Sequence, residues 1–540
     1  MQYFITAWYG QDSWMENEQV WYRSRTVTEF DDTVKQVQLF FRRHVAPFEM
    51  VVLGFSPNFR HFLHRQGVYH APWWSCFDAM QGIRSRSMQT FSFHDLAWPE
   101  DVTFVYTPFA VLAMCDGEKY AQIEFAEDGN MFLIDLFHGG QRVSRNYYDD
   151  RGFVSSQITY VNGIAVHQRF FDEEGTWKLA EYMGDGHVVI NPNSAWYLHG
   201  TGEGAQEVPY RKLRYDRIDD VIEEVLGDFL SKTSSEDIFT VAMHAHHSEV
   251  LSRALAGRVT VLSFFGRRTE KYGITPAGQR LLDSCACVVA DKNATAHAVC
   301  SLSRRFSAPV RVITPYETRV EVGVSQHLRV QNVLVAVDAL GDAQFDAVMT
   351  ELAAYVLTRN HLARVCLFTR SSQYDERARL LQRVQAALQK AGLDPEMAGV
   401  ETGVSENAPK VDDQIGVVFS VCQCVDELHV SRTIREQRVV VDLSEKPDQF
   451  LQISAMSMGV PQITALETEY IVDGQNGKVL HDVRKLPDAV DFYLSSVEHF
   501  NEAQIASYDL GGRFSAAELV KAWKEVIQIG EHSSAAARQH

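Results

Sequence analysis

The feature that most constrains the fold is an alternation of short apolar strands with amphipathic helices on both sides of a long β-rich stretch. Near the beginning of the chain, residues 3–8 and 49–55 have the apolar character of buried strands. Residues 29–46, between them, repeat apolar side chains at helical spacing, with acidic residues early and basic residues late. A succession of strand, helix and strand favours a parallel sheet with helices on its faces.

A β-rich stretch interrupts this alternation between about residues 100 and 210. Its short runs of β-branched and aromatic residues are separated by Asp-Gly, Asn-Gly and Glu-Gly pairs, which are typical of tight turns. This pattern predicts an antiparallel meander. After Tyr210 the alternation returns, with a helix predicted at 218–230 and strands at 259–264 and 282–290. The meander is therefore predicted to be inserted into one α/β domain.

A second α/β alternation begins near Gln331, so the sequence predicts a pair of Rossmann-like domains. Ser515 and Glu518 form a capping box, which predicts a last helix that ends before Gly530. Ligands of open α/β sheets bind at the carboxyl ends of the strands, and a pair of such sheets predicts a cleft there. The expected organisation is a first Rossmann-like domain at 1–99 and 211–330, an inserted β-meander at 100–210, a second Rossmann-like domain at 331–505, a C-terminal crossing helix at 506–530 and a disordered tail at 531–540.

Composition narrows the classes of function. The chain has 540 residues and a formal net charge of −19, which argues against nucleic acid as the main partner because phosphate binding needs a basic field. No stretch reaches about 18 consecutive apolar residues, and the N-terminus lacks the pattern of a signal peptide. The eight cysteines are scattered, unlike those of a disulfide framework. These features favour a cytoplasmic protein without a membrane-spanning helix.

Three histidines follow a predicted strand, at a place where functional side chains often lie. A metal site would use His244 with His246 or His247, but no carboxylate or cysteine stands at a recognisable companion spacing. Histidines that line the cleft, or that are partly satisfied in the core, are favoured over metal ligands. No metal and no cofactor is predicted.

Other clusters of reactive side chains indicate structural roles. The pairs Cys285/Cys287 and Cys422/Cys424 have a spacing that zinc ribbons do not prefer, so core cysteines are expected. The adjacent acids Asp149 and Asp150 lie beside a turn and lack an environment that would poise a general acid. Neither a phosphate-binding loop nor a nucleophile elbow occurs.

One segment, from Ser454 to Ile463, resembles the nucleotide-sugar site of retaining GT-B glycosyltransferases. Those enzymes hold the donor with a helix N-terminus and two glutamates eight positions apart, and Lys or Arg residues neutralise the diphosphate. Here the glutamate positions are Lys446 and Ser454, and Asp338 stands where active relatives commonly carry arginine. Donor catalysis is therefore predicted to be lost, although Lys446 and Arg370 remain candidate substitutes for the missing cation.

The resemblance extends over nearly the whole chain, and the family is the first of the three accessory secretory proteins of the accessory Sec system of Gram-positive bacteria. The segment 447–463 is its most specific part. Its other landmarks are the opening Tyr-Phe-Ile-x-x-Trp-Tyr with Trp14 and Trp21, Tyr106-Thr-Pro-Phe109, Ile123-Glu-Phe125, the run 148–153, the runs 314–319 and 323–326, and Asp442-Leu-Ser444.

This resemblance implies an α/β, GT-B-like fold with an inserted antiparallel β-sheet domain and no catalytic residues. It also implies a non-enzymatic role with the second and third accessory secretory proteins, in delivering a glycosylated serine-rich repeat adhesin to the accessory SecA motor and channel. Carbohydrate binding and contact with acidic membrane lipids are ascribed to that complex, so peripheral membrane association is expected. The residues predicted to line a glycan-binding cleft are His244, His246, Ser454, Ser457, Gly459 and Glu467.

Two other functions stay open at this point. The surviving Gly459, Pro461 and Gly477 are compatible with an active glycosyltransferase that uses unusual residues. A scaffold whose cleft is empty and inert is the third interpretation. Binding of a nucleotide sugar would distinguish an active glycosyltransferase from a non-catalytic adaptor. Binding of glycan would distinguish that adaptor from an inert scaffold.

Overall fold

Three β-sheets organise the chain in the computed structural model, which describes residues 1–10, 12–18, 20, 28–192, 210–321, 323–399 and 416–537. The chain divides into two compact units. The first comprises residues 1–315 and 522–540, and the second comprises residues 316–521. Trp21, one landmark of the family resemblance, lies outside the described residues.

The first unit begins with the predicted alternation of strands and helices. The helix predicted at 29–46 is shorter at both ends, because the Asp31 carboxylate caps its start and His44 adopts a left-handed backbone conformation at its end. The elements are β1 (Gln2–Ile5), α1 (Asp32–Arg43), β2 (Phe48–Val52), α2 (Phe59–Arg65), β3 (Trp73–Ser75) and α3 (Cys76–Gln81).

Ten strands then form one antiparallel sheet, in which each strand pairs with its neighbours in sequence. Asn162 and Gly163, both with positive φ, make the turn between two of its strands, as expected for an Asn-Gly hairpin. The strands are β4 (Thr103–Tyr106), β5 (Val111–Cys115), β6 (Glu118–Phe125), β7 (Met131–His138), β8 (Gln141–Tyr148), β9 (Val154–Val161), β10 (Ile164–Phe171), β11 (Trp177–Tyr182), β12 (Val188–Ile190) and β13 (Arg214–Tyr215).

The α/β alternation resumes after this sheet. Residues 282–284, predicted as the start of a strand, instead end a helix, because Leu281 and Leu282 are buried on one of its faces and the strand begins only at Cys287. The elements are α4 (Ile218–Ser231), β14 (Ile238–Ala242), α5 (Ser248–Ala254), β15 (Val259–Phe264), α6 (Gly266–Tyr272), α7 (Pro276–Ser284), β16 (Cys287–Ala290), α8 (Asn293–Cys300) and β17 (Val310–Val312).

The strands before and after the antiparallel sheet join into one parallel sheet of seven strands. Its order is β17-β16-β15-β14-β1-β2-β3. β1 lies between β14 and β2, with Phe4 opposite both Thr240 and Met50. A strand with neighbours on both edges and helices on both faces is buried throughout, which explains why β1 is entirely apolar apart from Gln2.

A buried cluster of charges ties the ten-stranded sheet to this parallel sheet. Arg60 in α2 contacts Asp150 through Nε and Asp149 through Nη2, the latter at 3.1 Å. Arg151 in turn contacts Asp149 at 2.7 Å and Asp78 of α3 at 2.8 Å. Desolvation of these charges is offset here by mutual pairing. Asp149 and Asp150 therefore have arginine partners within the protein.

The second unit contains a parallel six-stranded sheet with the order β20-β19-β18-β21-β22-β23. Its elements are β18 (Gln331–Ala336), α9 (Asp342–Thr358), β19 (Ala363–Thr369), α10 (Glu376–Lys390), β20 (Phe419–Gln423), α11 (Glu427–Arg435), β21 (Gln437–Asp442), α12 (Gln449–Ser457), β22 (Gln462–Thr464), β23 (Gly477–Val479), α13 (Leu486–Leu494) and α14 (Val497–Gly511). The last helix, α15 (Ala516–Ala537), belongs to the first unit from Ala522 onward.

The C-terminal region departs from the prediction in two ways. In place of one helix at 506–530 there are two helices, α14 and α15, because Gly512–Phe514 form a single 3-10 turn between them. α15 begins directly after Ser515, as predicted, but it continues through Gly530 to Ala537. The predicted disordered tail is therefore wrong for 531–537. Its Ala-Ala-Ala sequence has high helix propensity, and Gly530 packs against Ile238 where a Cβ would lie 2.6 Å away.

The cysteines are mostly core residues, with one correction. Cys285 and Cys287 are buried, and burial raises the pKa of their thiols to about 12 and about 11. Cys422 instead forms a disulfide with Cys366. The strand register places Cys422 opposite Phe368, so the two cysteines are diagonal neighbours on one face of the sheet.

Within the described part of the chain, none of the helices combines the length and apolar character needed to cross a bilayer.

Candidate functional site

The three predicted histidines lie at the carboxyl end of β14, in the first unit. His244 and His247 are buried, and the Tyr9 hydroxyl contacts His247 Nδ1 at 2.5 Å. Burial, assisted by the charge of Arg268, lowers the pKa of His244 to about 3, so its imidazole is neutral at physiological pH. His247 has its pKa lowered well below the usual range for the same principal reason, its burial.

Arg268, at the start of α6, is the buried cation beside these histidines. Its guanidinium donates to Asp31 at 2.8 Å and to Asp32 at 2.6 Å, and its Nε donates to the Met243 carbonyl at 2.8 Å. Burial of Asp32 raises its pKa to about 6 despite this partner. The charges of this group are thus satisfied within the protein. The arrangement stabilises the loops at the ends of β14 and β15.

His246 is the most accessible of the three histidines, being half-buried. Its ring lies 4.4 Å from the ring of Trp14, whose indole N–H donates to Asp219 at 2.8 Å. Glu181 of β11 interacts with the same aspartate, and burial together with that negative charge raises the pKa of Glu181 to about 7. Aromatic rings and carboxylates thus meet where the ten-stranded sheet contacts α4. Trp14 is only 6% exposed, so its ring offers no open stacking surface for a sugar.

A metal ion at these histidines would need companion ligands with a suitable geometry. Among the described residues, no group of three or more His, Cys, Asp or Glu side chains has a geometry that could hold one. The three imidazoles pack against Tyr9, with ring centroids between 5.5 and 6.0 Å from the Tyr9 ring. Burial and aromatic packing account for their placement.

In the second unit, the donor-like segment forms the helix α12 and the strand β22. Asp448 is the N-cap of α12, and its carboxylate accepts a hydrogen bond from the Leu451 amide at 2.9 Å. Arg370, directly after β19, approaches the same carboxylate with two nitrogens, Nε at 3.0 Å and Nη2 at 3.2 Å. Both side chains are 12% exposed. The helix N-terminus and the nearest arginine are therefore engaged by a carboxylate of the protein itself.

Further carboxylates surround this helix end. Asp338 accepts from the Arg370 amide at 2.7 Å, and its pKa is raised chiefly by burial. Asp442, at the end of β21, accepts from the Asp448 amide at 2.9 Å, and burial raises its pKa to about 6. Asp338 and Asp448 thus accept hydrogen bonds from Arg370, and Asp442 accepts one from the amide of Asp448. Lys446, the other candidate cation, is exposed.

The four predicted cleft residues of this unit do not share one environment. Ser454 is half-buried on α12. Ser457 and Gly459 lie at the opposite end of the helix from Asp448, where the Ser457 hydroxyl accepts from the Arg319 amide at 3.3 Å and a Cβ on Gly459 would collide with Gln504. Glu467 is exposed in the loop after β22, where it accepts from the Asp473 amide at 3.3 Å. Ser457 and Gly459 are therefore packing residues.

Sequence reasoning missed Asp448 as a member of this site. A signal for it exists, because an aspartate that follows a proline and precedes an apolar run is a typical N-cap.

Sequence reasoning also missed a pocket of about 440 Å³ in the first unit, between the strand β3 and the loops beside it. Of the two arginines in its wall, Arg60 is held by Asp149 and Asp150, and Arg86 lies over the Trp73 ring at 4.2 Å.

The fold defines the class of protein. The chain has the GT-B-like architecture of glycosyltransferases, in which two Rossmann-like sheets are accompanied by an inserted antiparallel sheet. The pneumococcal O-GlcNAc transferase GtfA, solved with UDP and GlcNAc, has a similar fold with a TM-score of 0.69 at 10% identity, over 98% of this chain and 99% of that one. At that identity the likeness concerns the fold alone.

The family follows from closer relatives. The family model for the first accessory Sec system protein matches residues 1–529, and the chain belongs to this family. A curated relative of the same description from Streptococcus gordonii is 28% identical over 537 residues, which is 98% of this chain and 99% of the relative. A solved structure of accessory secretory proteins 1, 2 and 3 of Streptococcus pneumoniae matches with a TM-score of 0.77 and 25% identity, over 99% of this chain and all of that one.

Proposed function

We propose that this chain is a non-catalytic component of the accessory Sec export machinery that acts in a complex with the second and third accessory secretory proteins. The observation that carries the proposal is the Asp448–Arg370 pair at the N-terminus of α12. Membership of the family supports the export role. The solved complex of the three pneumococcal proteins supports the choice of partners.

A nucleotide sugar carries the negative charge of its diphosphate into the site that binds it. A helix N-terminus and a nearby arginine are the two groups that would attract a diphosphate. Here the carboxylate of Asp448 already accepts from the helix amide of Leu451 and from Arg370. Asp338 and Asp442 add negative charge beside it. A diphosphate would have to displace a satisfied carboxylate while being repelled by its neighbours, so donor binding is disfavoured before any chemistry begins.

The positions that would act on the sugar are also unsuited to transfer. Ser454 and Lys446 stand where glycosyltransferases of this fold carry glutamates. A serine hydroxyl cannot supply the charge of a carboxylate, and a lysine has the opposite sign. The chain is therefore best described as glycosyltransferase-like in fold without transfer activity. Its proposed task is to help deliver a glycosylated serine-rich repeat adhesin to the accessory SecA motor.

Calorimetry with UDP-GlcNAc and UDP-glucose tests the loss of donor binding. We expect no measurable heat for the native chain at millimolar nucleotide sugar. Asp448→Asn keeps an N-cap but releases Arg370, so it should bind UDP more tightly than the native chain. Asp426→Asn is the matched control, since Asp426 is the N-cap of α11 and lies outside the donor-like segment. Transfer of sugar from any nucleotide donor by the native chain would refute the proposal in favour of an active glycosyltransferase.

Export of the adhesin in cells tests the role directly. Removal of this chain should stop secretion of the glycosylated adhesin, and the variants Lys446→Ala and Ser454→Ala should restore it fully, because no donor chemistry is used. Loss of export in these two variants, with the protein still folded, would show that the donor-like site is needed.

Binding of the adhesin glycan remains a prediction of the same proposal. His246 is the best residue with which to test it, because it is half-buried whereas His244 is 2% exposed. Capture of glycosylated adhesin by the native chain should weaken in His246→Ala and stay unchanged in His138→Ala, an exposed histidine of β7. Equal capture by all three proteins would leave the chain as a scaffold without a glycan site there.

A further inference from the structure

The outer strand of the ten-stranded sheet, β4, has an edge that no other strand covers in the described part of the chain. At the turn between β4 and β5, the Thr107 amide donates to the Ala110 carbonyl at 3.0 Å. Hydrogen-bonded and non-bonded pairs alternate along an antiparallel ladder, so Val105 directs its amide toward β5. The amides of Phe104 and Tyr106 consequently point outward, where they are available to an added strand.

Three large apolar side chains at or near this edge are exposed. Val105 is 47% exposed, Tyr106 65% and Phe109, just after the strand, 48%. Proteins normally protect a sheet edge with charges, proline or a very short strand. The opposite edge follows this rule, since β13 has only two residues. β4 itself carries no charged side chain.

The surroundings of β4 are acidic. From Asp95 to Glu118 the chain has five acidic residues and neither lysine nor arginine. Glu100 and Asp101 shortly precede β4, and Asp116 lies in the turn that follows β5, near the Thr103 end of the strand. A second copy of a chain with a net charge of −19 would be repelled from this edge. A basic strand from another protein would be attracted to it.

We propose that β4 is a docking edge for a β-strand of another protein of the export complex, in which apolar side chains alternate and basic residues flank them. The inference rests on the proposed function, since the second or third accessory secretory protein is taken as the source of the strand. Main-chain hydrogen bonds to Phe104 and Tyr106 supply affinity, and contact with Val105, Tyr106 and the acidic flank supplies specificity.

The experiment measures binding of the full chain to the co-expressed second and third accessory proteins of the same organism. Tyr106→Pro removes an outward amide and leaves the amide of Val105 on its ladder with β5, as edge strands permit. Val105→Lys places a charge on the exposed side chain without removing any main-chain donor. We expect each to weaken binding by about tenfold or more. The control is Ile164→Lys on β10, a residue that is 71% exposed on the same sheet but away from the edge.

Hydrogen exchange supplies a readout specific to strand addition. The amides of Phe104 and Tyr106 should exchange rapidly in the free chain and slowly in the complex, and Glu100→Lys with Asp101→Lys should weaken binding most at low salt. Unchanged affinity in Tyr106→Pro and Val105→Lys, without amide protection, would overturn the docking edge while leaving the complex intact. If the native chain fails to bind both accessory proteins, the proposed function fails as well. Weaker binding in Tyr106→Ala without amide protection would show contact with the ring alone and would also overturn strand addition.

Discussion

Gly459 and Gly474 have the same left-handed backbone conformation, with φ of 65° and 72°, but very different surroundings. A Cβ on Gly459 would collide with Gln504 Cγ and lie 3.0 Å from the Tyr508 ring, whereas nothing lies within 4 Å of one on Gly474. We expect Gly474→Ala to lower the free energy of unfolding by about 1–2 kcal/mol, the cost of the backbone conformation. Gly459→Ala should cost about 3 kcal/mol, because overpacking is added.

Urea unfolding of the two variants and the native chain measures this difference. Equal costs would mean that α12 and α14 move apart without penalty, and that Gly459 is required by its φ alone. A larger cost for Gly459→Ala would establish that this glycine of the donor-like segment serves the packing of α12 on α14.

Glu181 makes a contribution to stability that depends on pH. Its pKa in the folded chain is about 7, above the ordinary 4.5, so the native state retains a proton that the unfolded state has lost between these values. The stability is fully present below about pH 4.5 and decreases as pH rises through 7. Between pH 5 and pH 8 we expect a loss of about 2 kcal/mol that Glu181→Gln abolishes. Denaturant titrations at both pH values measure the free energy of unfolding of the native chain, of Glu181→Gln and of the control Glu502→Gln, whose side chain is exposed. If Glu181→Gln loses as much stability between the two pH values as the native chain, the prediction is wrong.

At the same scale, the sequence shows which residues stand in the donor-like segment but not how their charges pair. The absence of glutamate at 446 and 454 is visible in the sequence alone. The contact between Arg370 and Asp448 joins residues 78 positions apart, and it depends on β19 ending at the side of the sheet where α12 begins. A hydrogen bond of this kind has no local sequence pattern.

At the scale of elements, α15 contributes a large buried side chain to the core of the first unit. Trp523 is 1% exposed, and its ring meets those of Phe40 and Phe4 edge-on at 5.4 and 6.0 Å. Trp523→Ala should lower the free energy of unfolding by about 3–5 kcal/mol through the cavity that it leaves. Lys524→Ala, on the neighbouring exposed position, should cost little.

Thermal and urea unfolding followed by far-ultraviolet circular dichroism compares these two variants. A cost below about 1 kcal/mol for Trp523→Ala would mean that α15 is not needed to complete the core of β1 and α1. Retention of the 531–537 turns in that variant, seen by hydrogen exchange, would show that the end of α15 is stabilised by its own alanines rather than by docking.

Elements were predictable where their local signals agree. The helix at 218–230 was expected and α4 spans Ile218–Ser231, because its apolar spacing is regular and acids fill its first turn. Residues 282–284 were misassigned to a strand, since a short apolar run is compatible with either element and only burial of Leu281 and Leu282 decides between them. The end of α15 was placed too early because glycine usually terminates a helix, yet Gly530 serves close packing on Ile238.

At the scale of the whole molecule, charge determines what the isolated chain can meet. A net charge of −19 opposes contact with an anionic bilayer, which attracts basic segments. We expect no co-sedimentation of the isolated chain with phosphatidylglycerol vesicles, at low salt or at about 0.15 M. Binding that appears only after the second and third accessory proteins are added would place the basic surface on those partners. Binding by the isolated chain at low salt would reveal a local basic patch on this chain.

The sequence by itself determined the class of fold and the insertion of an antiparallel sheet, because each depends on a local periodicity or a turn dipeptide, and it fixed the identities of Lys446 and Ser454. The tertiary structure decided that Arg370 is held by Asp448, that His244 and His247 are buried, and that β4 is the outer strand of its sheet among the described strands. These features depend on which distant segments meet and on what is left uncovered. For the donor-like segment, the residues at 446 and 454 come from the sequence, and the pairing of Asp448 with Arg370 at the start of α12 comes from the fold.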